Sequence, residues 1–207
     1  MNQSIGNCWG NRERNSHQQA HLAQLRAVIA ASTIMPLSQA ERDDLSLMRE
    51  EEKIARDVYL RLYDRWRIPP FGNISGSEQV HMDGILALLE RHGLPDPVQG
   101  LGIGLFHDQE MQALHDRLLA QGLRSLEDAI QVGLLIEELD IADLRAAAAR
   151  TDKPEVLAIY ADLEQGSRNH LRAFYRWMQK LNTNYVPTHL MPGDFKSIAM
   201  SEHEMCH

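Results

Sequence analysis

The amino-acid sequence predicts an all-α protein, a bundle of four long helices with one long crossover between the second and the third. Three observations predict it. Apolar residues recur at three- and four-residue spacing, and no stretch alternates like a strand for more than a few residues. Breaks rich in proline and glycine, "IPPFGN", "RHGLPDP" and "TDKPE", divide that pattern into long segments. The links between the segments then run short, long, short, which separates a one-crossover bundle from simple up-down-up-down topology.

Taken in order, residues 1–36 read as an arm that is loose to about Ser16, followed by a short helix from about His17 to Ala31. The bundle occupies 37–182. Ser38, with Glu41 three residues on, has the capping-box arrangement for a first long helix from Gln39 to Trp66. "IPPFGN" stops it. A second helix begins near Ser75–Ser77 and ends where Gly93, Pro95 and Pro97 cluster. The crossover from Pro95 to Ser125 carries a short helix of its own, "DQEMQALHDRLLAQG". Ser125, followed by Asp128, opens the third long helix, which runs to about Arg150. Asp152 as N-cap and Pro154 in the first turn open the fourth, which ends near Leu181. The tail, 183–207, reads as irregular.

Composition narrows the partners. A net charge of −8 without a dense Lys/Arg run argues against nucleic acid, whose binding needs a basic stripe to displace counterions. The N-terminus has no basic segment followed by an apolar one, and "LRAVIAASTIM" is too short and interrupted to span a bilayer, so a cytoplasmic, non-membrane protein is expected. Cys8 and Cys206 lie near opposite ends with no CxxC spacing. They read as two free thiols, with a terminal-to-terminal disulfide as the alternative.

The chemistry lies on the inward stripes. Along the first long helix, Leu45, Met48, Glu52, Ala55, Tyr59, Leu62 and Trp66 share a face on which Glu52 is the one ionisable acid, whereas Glu50, Lys53 and Asp57 fall on a wet face and Glu51, at the mixed edge of the apolar face, reads as a solvent charge too. An ionised carboxylate on a core stripe is costly unless a cation or a buried Arg offsets its lost hydration. The other helices repeat the interruption. Glu78 and His81 form E-x-x-H on the second, Glu137 and Asp140 stand one turn apart on the third, and His170 breaks the stripe of the fourth. Carboxylates with imidazoles suit iron or manganese, and four carboxylates neutralise two divalent ions. Glu from two helices plus Glu-x-x-His from two others is the di-iron carboxylate arrangement. By position, Glu78 and His81 hold one metal with Glu52 terminal to it, and His170 holds the other with Asp140. Glu137 and Glu78 are the candidate bridges. No residue is singled out as catalytic; Tyr59 reads first as a core aromatic, near enough to donate a hydrogen bond to a ligand or to take part in redox chemistry.

Weaker features remain. His17 and His21 have an i, i+4 spacing able to hold zinc, but read first as surface residues. The tail "SEHEMCH" brings His203, Cys206 and His207 close together, and reads as a polar tail that could gather metal. His107 and His115 have no visible partner, and no phosphate loop or nucleophile elbow is present.

The run "ExxARxxY" (Glu52, Ala55, Arg56, Tyr59) resembles the first-helix motif of rubrerythrins, in the di-iron branch of the ferritin-like superfamily, and "SEQVHM" resembles the second-helix motif. With "IEELDIADL" and "GSRNHLRAF", the chain from Leu37 to Leu181 is similar to an uncharacterised bacterial and archaeal ferritin-like family, catalogued as a domain of unknown function. The resemblance implies a ferritin-like four-helix bundle holding two iron ions, with manganese or a mixed pair as alternatives and zinc as a stand-in in a crystal. It implies reaction with dioxygen or peroxide, as an oxidoreductase fed by a separate electron donor, and allows a homodimer. Ferroxidase or iron-handling activity, and a metal-free scaffold with a buried carboxylate network, are the competing readings. The chain departs from the superfamily pattern at Ser167, where a Glu is expected three residues before His170. Asp140, or less directly Glu164, would have to compensate.

Overall fold

The computed structural model describes residues 4–205, with side chains from residue 16 onward. Among the described residues there are seven helices and no strand: α1 (Ser4–Ala31), α2 (Gln39–Trp66), α3 (Pro69–Arg91), α4 (Gln109–Gly122), α5 (Leu126–Ala148), α6 (Pro154–Lys180) and α7 (Pro192–Met200). No helix among them is long and apolar enough to cross a membrane.

Local chemistry sets the ends. At the start of α2, Glu41 N donates to Ser38 Oγ at 3.2 Å and Ser38 N donates to Glu41 Oε2 at 2.7 Å, so two backbone donors at the helix start are satisfied reciprocally. α2 stops at Arg67, which adopts the left-handed conformation with φ 53°. The next helix starts earlier than the Ser75–Ser77 expectation, at Pro69. Prolines at the first two helical positions lack only N–H groups that would have no intrahelical partner, so "PP" opens α3 as well as closing α2. Ser125 caps α5 as expected, its side chain accepting from Asp128 N. Lys153, rather than Asp152, is the N-cap of α6, with Pro154 following it.

α2 packs along α3 and α5 along α6, and the two pairs meet through α2–α5 and α3–α6. α1 lies over α3 and α6, α4 over α2 and α5, and α7 against α6. The apolar core falls into two clusters. One gathers Leu45 and Met48 with Ile85, Leu88, Leu144, Ile159 and Leu163. The other gathers Val58, Tyr59 and Leu62 with Phe71, Ile130, Leu134, Leu171 and Phe174. Each of the four long helices passes from one cluster to the other near its middle, and there its polar interruption lies.

In the second cluster Tyr59, Phe71 and Phe174 form a triangle with ring centroids 5.3–5.9 Å apart. Gly133 backs onto it, and a Cβ there would come within 2.7 Å of the Phe174 ring. Phe174 is fully buried and wedged against both other rings, so it has nowhere to move. Gly133→Ala is therefore expected to destabilise the protein by about 1–3 kcal/mol through overpacking, despite the better helix propensity of Ala. Thermal unfolding of the variant beside the parent reads this directly; an unchanged or higher midpoint would show that the triangle can relax.

Three expectations need correction. Glu50, Glu51, Lys53 and Asp57 are buried rather than wet. The cause for Lys53 and Asp57 is the crossover, which roofs this side of α2. Lys53 Nζ pairs with Asp57 and donates to Gly102 O at 2.8 Å, Gly104 N donates to Asp57 Oδ2 at 2.8 Å, and the Phe106 ring lies under the ammonium. The tail is not wholly irregular: besides forming α7, it is tied down by charge. The buried Glu138 carboxylate accepts from Tyr185 Oη, His189 N and Leu190 N at 2.5–2.7 Å. Arg172 donates to Ile198 O and Ser201 Oγ and pairs with Glu204. Polar anchors of this kind leave no hydrophobic period. The N-terminal arm is likewise helical from Ser4, not loose to Ser16. The Cys8 and Cys206 side chains, and His207, lie outside the described residues.

Candidate metal centre

Between the two apolar clusters, Glu52 of α2, Glu78 and His81 of α3, Glu137 of α5 and His170 of α6 point at one another, and all are buried. They fall into two groups, Glu52 with Glu78 and His81, and Glu78 with Glu137 and His170. Within each, one ligand-type atom per residue lies within 4.8 Å of the others. Glu78 belongs to both. Its Oε2 is 2.8 Å from His81 Nδ1 and its Oε1 is 3.0 Å from His170 Nδ1. His81 Nδ1 is also 3.2 Å from Glu52 Oε2, and His170 Nδ1 is 3.3 Å from Glu137 Oε2. The two imidazoles stack with centroids 5.5 Å apart.

Local structure explains the convergence. One helical turn separates Glu78 from His81, so both reach the same side of α3. Gly166 makes room for the His81 ring: a Cβ there would lie 2.4 Å from Nε2, so any larger residue would force the imidazole to shift. Ser77 Oγ is 3.1 Å from His170 Nε2 and fixes that ring from behind. Tyr59 Oη donates to Glu137 Oε1 at 2.6 Å, leaving the other oxygen toward His170.

The remaining sequence candidates are placed differently. Asp140 is buried beside Glu52 and Glu137, but belongs to neither group of three. Ser167 is buried, its Oγ turned back to donate to Leu163 O at 3.1 Å. Glu164 is not its substitute, since it is held outside by Arg145 at 2.9 Å and Arg168 at 2.7 Å. Two supporting residues, Ser77 and Gly166, were not legible as such. Ser77 reads as a helix boundary and Gly166 as a small member of the stripe.

Both oxygens of Glu78, Oε2 of Glu137, Nδ1 of His170 and Oδ2 of Asp140 are buried without a hydrogen-bond partner. The first four lie within 3.3 Å of a polar neighbour, yet are misaligned for a hydrogen bond with it. A buried polar atom left this way costs about 1–3 kcal/mol, and a shared cation would remove the cost for several at once. The protonation balance agrees. Burial pushes the Glu52 and Glu137 carboxyls up to about 7, against the pull of the neighbouring imidazoles. Burial also opposes ionisation of Glu78, but the charges of His170 and His81 outweigh it and hold this carboxyl below the usual range. Burial would lower both imidazoles, yet the surrounding carboxylates raise them, His170 to about 10. Burial, with Glu52 and Glu137 adding to it, pushes the Asp140 carboxyl well up. The centre thus gathers protons where cations could stand.

The family model for the uncharacterized protein domain DUF2202 matches residues 41–202. The chain belongs to the DUF2202 family. All six candidate ligands lie inside the matched segment. The uncharacterized protein MJ0754 of Methanocaldococcus jannaschii is 43% identical over 169 residues, covering 82% of this chain and 91% of that protein. The crystal structure of hypothetical protein MJ0754 superposes with a TM-score of 0.81 at 42% identity, covering 83% of this DUF2202 chain and 98% of that one.

Proposed function

We propose that this DUF2202 protein is a ferritin-like four-helix bundle that holds a dinuclear centre of iron or manganese and reacts with dioxygen or peroxide. The observation that carries the reading is Glu78, a fully buried carboxylate set between two imidazoles with neither oxygen satisfied by a hydrogen bond. The donor set fits first-row divalent ions, being carboxylate and imidazole without thiolate. Glu52, Glu78 and His81 would hold one ion, and Glu78, Glu137 and His170 the other, with Asp140 in reserve beside them.

A pair of such ions, held there, would supply the electrons for reducing an oxygen species, which side chains of these types do not. The protein's part is positional. Ser77 Oγ, at the Nε2 of His170, keeps that ring's Nδ1 toward Glu78 and Glu137, and the Tyr59 hydroxyl fixes Glu137 by its other oxygen. The apolar clusters above and below keep bulk water away from those two sides. In the metal-free protein the Glu52 and Glu137 carboxyls are pushed up to about 7, so they would release protons as the ions bind. Reducing equivalents would come from a separate donor protein.

The test is anaerobic loading with Fe(II), desalting, and mixing with hydrogen peroxide. About two irons per chain, with peroxide consumed faster than by the same amount of free Fe(II), is the expected result. A protein that retains neither iron nor manganese would overturn the reading.

A further inference from the structure

A cavity of about 310 Å³ opens between α1, α3 and α6 and reaches the candidate centre. The imidazoles of His81 and His170 form part of its wall, and His17, His21, Asp162 and His203 form another part. Gly166 lines it too, and the missing Cβ leaves the outer edge of His81 uncovered on that side. None of the four outer residues is needed to build the centre. Three of them, His17, His21 and His203, lie outside the segment matched by the family model.

Their arrangement has a chemistry of its own. His17 and His21 are four residues apart on α1, so their imidazoles emerge on one side of the helix. Asp162 reaches across from α6, its Oδ2 accepting from His21 Nε2 at 3.0 Å. Asp162 is mostly buried, with 16% of its side chain exposed, and among the described residues it meets no Lys or Arg at ion-pair distance. His17 and His203 are exposed and line the same cavity, and among the described residues they do not stand at ligand spacing with the pair, so both rings would have to turn inward to complete a donor set.

We propose that His17, His21, Asp162 and His203 form a loading site for a divalent cation, from which the ion passes through the cavity to the buried centre. The proposal rests on the reading of that centre as a metal site. Three imidazoles and one carboxylate are a donor set for first-row divalent ions. Coordination would replace the His21–Asp162 hydrogen bond with two bonds to the ion. The direction of transfer follows from charge. The outer set is partly exposed and has one carboxylate, so it would fill and empty more readily than the inner set, which is buried and has three or four.

The test uses Co(II) alone, added anaerobically to the full-length metal-free protein, with binding followed by visible absorbance and equilibrium dialysis. The variants are His21→Ala/Asp162→Ala and the single His17→Gln, a change at an exposed position that leaves the core untouched. The parent is expected to take up about three equivalents, the last most weakly. The double variant should take up about two, and fill the centre roughly tenfold more slowly. His17→Gln should slow filling by a smaller factor, and decides the matter if the double variant fails to fold. Parent and folded variants filling to the same level at the same rate would overturn the loading site while leaving the centre intact. A parent that binds no Co(II) at all would overturn both.

Discussion

Glu78→Ala is expected to abolish both metal sites in one step, taking retained iron from about two per chain to none. No other single substitution has this reach, because Glu78 alone belongs to both groups of three and contributes a different oxygen to each. His170→Ala removes a donor from the second group only, so about one iron should remain. The contrast between the variants carries the information. Equal losses would mean that one shared site exists, and retention of iron by Glu78→Ala would remove Glu78 from the centre altogether. Folding is the control. Glu78→Gln keeps the volume of a side chain buried between two helices and should unfold with the same cooperativity as the parent, still without binding two ions. Far-ultraviolet circular dichroism separates loss of metal from loss of structure.

The second large effect is on stability, and its sign can be worked out from the centre's protons. Glu52 and Glu137 titrate near 7 in the folded chain against an ordinary value of 4.5, and His170 near 10 against 6.5. The folded protein therefore binds more protons than the unfolded chain from about pH 5 upward, and its stability must fall as pH rises through that range. The two acids act through pH 7, the imidazole above it. Glu78, held low by the two histidines, acts in the opposite sense but only below its ordinary value, outside this window. Cations displace these protons, so the loaded protein should lose most of the dependence. The gap between the unfolding midpoints of loaded and metal-free protein is expected to widen from about pH 5 to about pH 8, by roughly 5 °C or more for a chain of this size. A metal-free protein that becomes more stable over the same interval would contradict the placement of these groups.

Much of the site was legible because a carboxylate on an apolar stripe is a conspicuous fault. Glu52 stands out between Met48 and Ala55, and the same fault recurs at Glu78, Glu137 and His170, whose side chains come together in the fold. The fold class was legible for a related reason, since caps such as Ser38 and Ser125 sit where the period begins. What escaped was held by contacts that have no period. Lys53 and Asp57 look solvent-facing because nothing in α2 announces that Gly102 and Gly104 will bond to them. Glu138, one residue from a candidate ligand, looks like one more surface acid until Tyr185 and two backbone donors of the tail are seen on it. Pro69 and Pro70 could end a helix or begin one, and adjacent to Trp66 they do both. Position on the stripes pairs Asp140 with His170, whereas the neighbours that reach His170 are Glu78 and Glu137. The supporting roles of Ser77 and Gly166 depend on one hydroxyl contact and one absent methyl group, neither of which marks a pattern of hydrophobicity.

The candidate ligands occupy a single level halfway along four helices, with an apolar cluster on either side. This imposes unequal tolerances on sequence drift. Either end can exchange one aliphatic residue for another of similar volume and leave the middle undisturbed. Inserting a single residue between a helix end and its ligand is another matter, since it would swing that ligand by about 100° out of the shared level. Over long divergence, the side chains of the end clusters are free to change while the spacing from cap to ligand is held, and helix length becomes the inherited quantity.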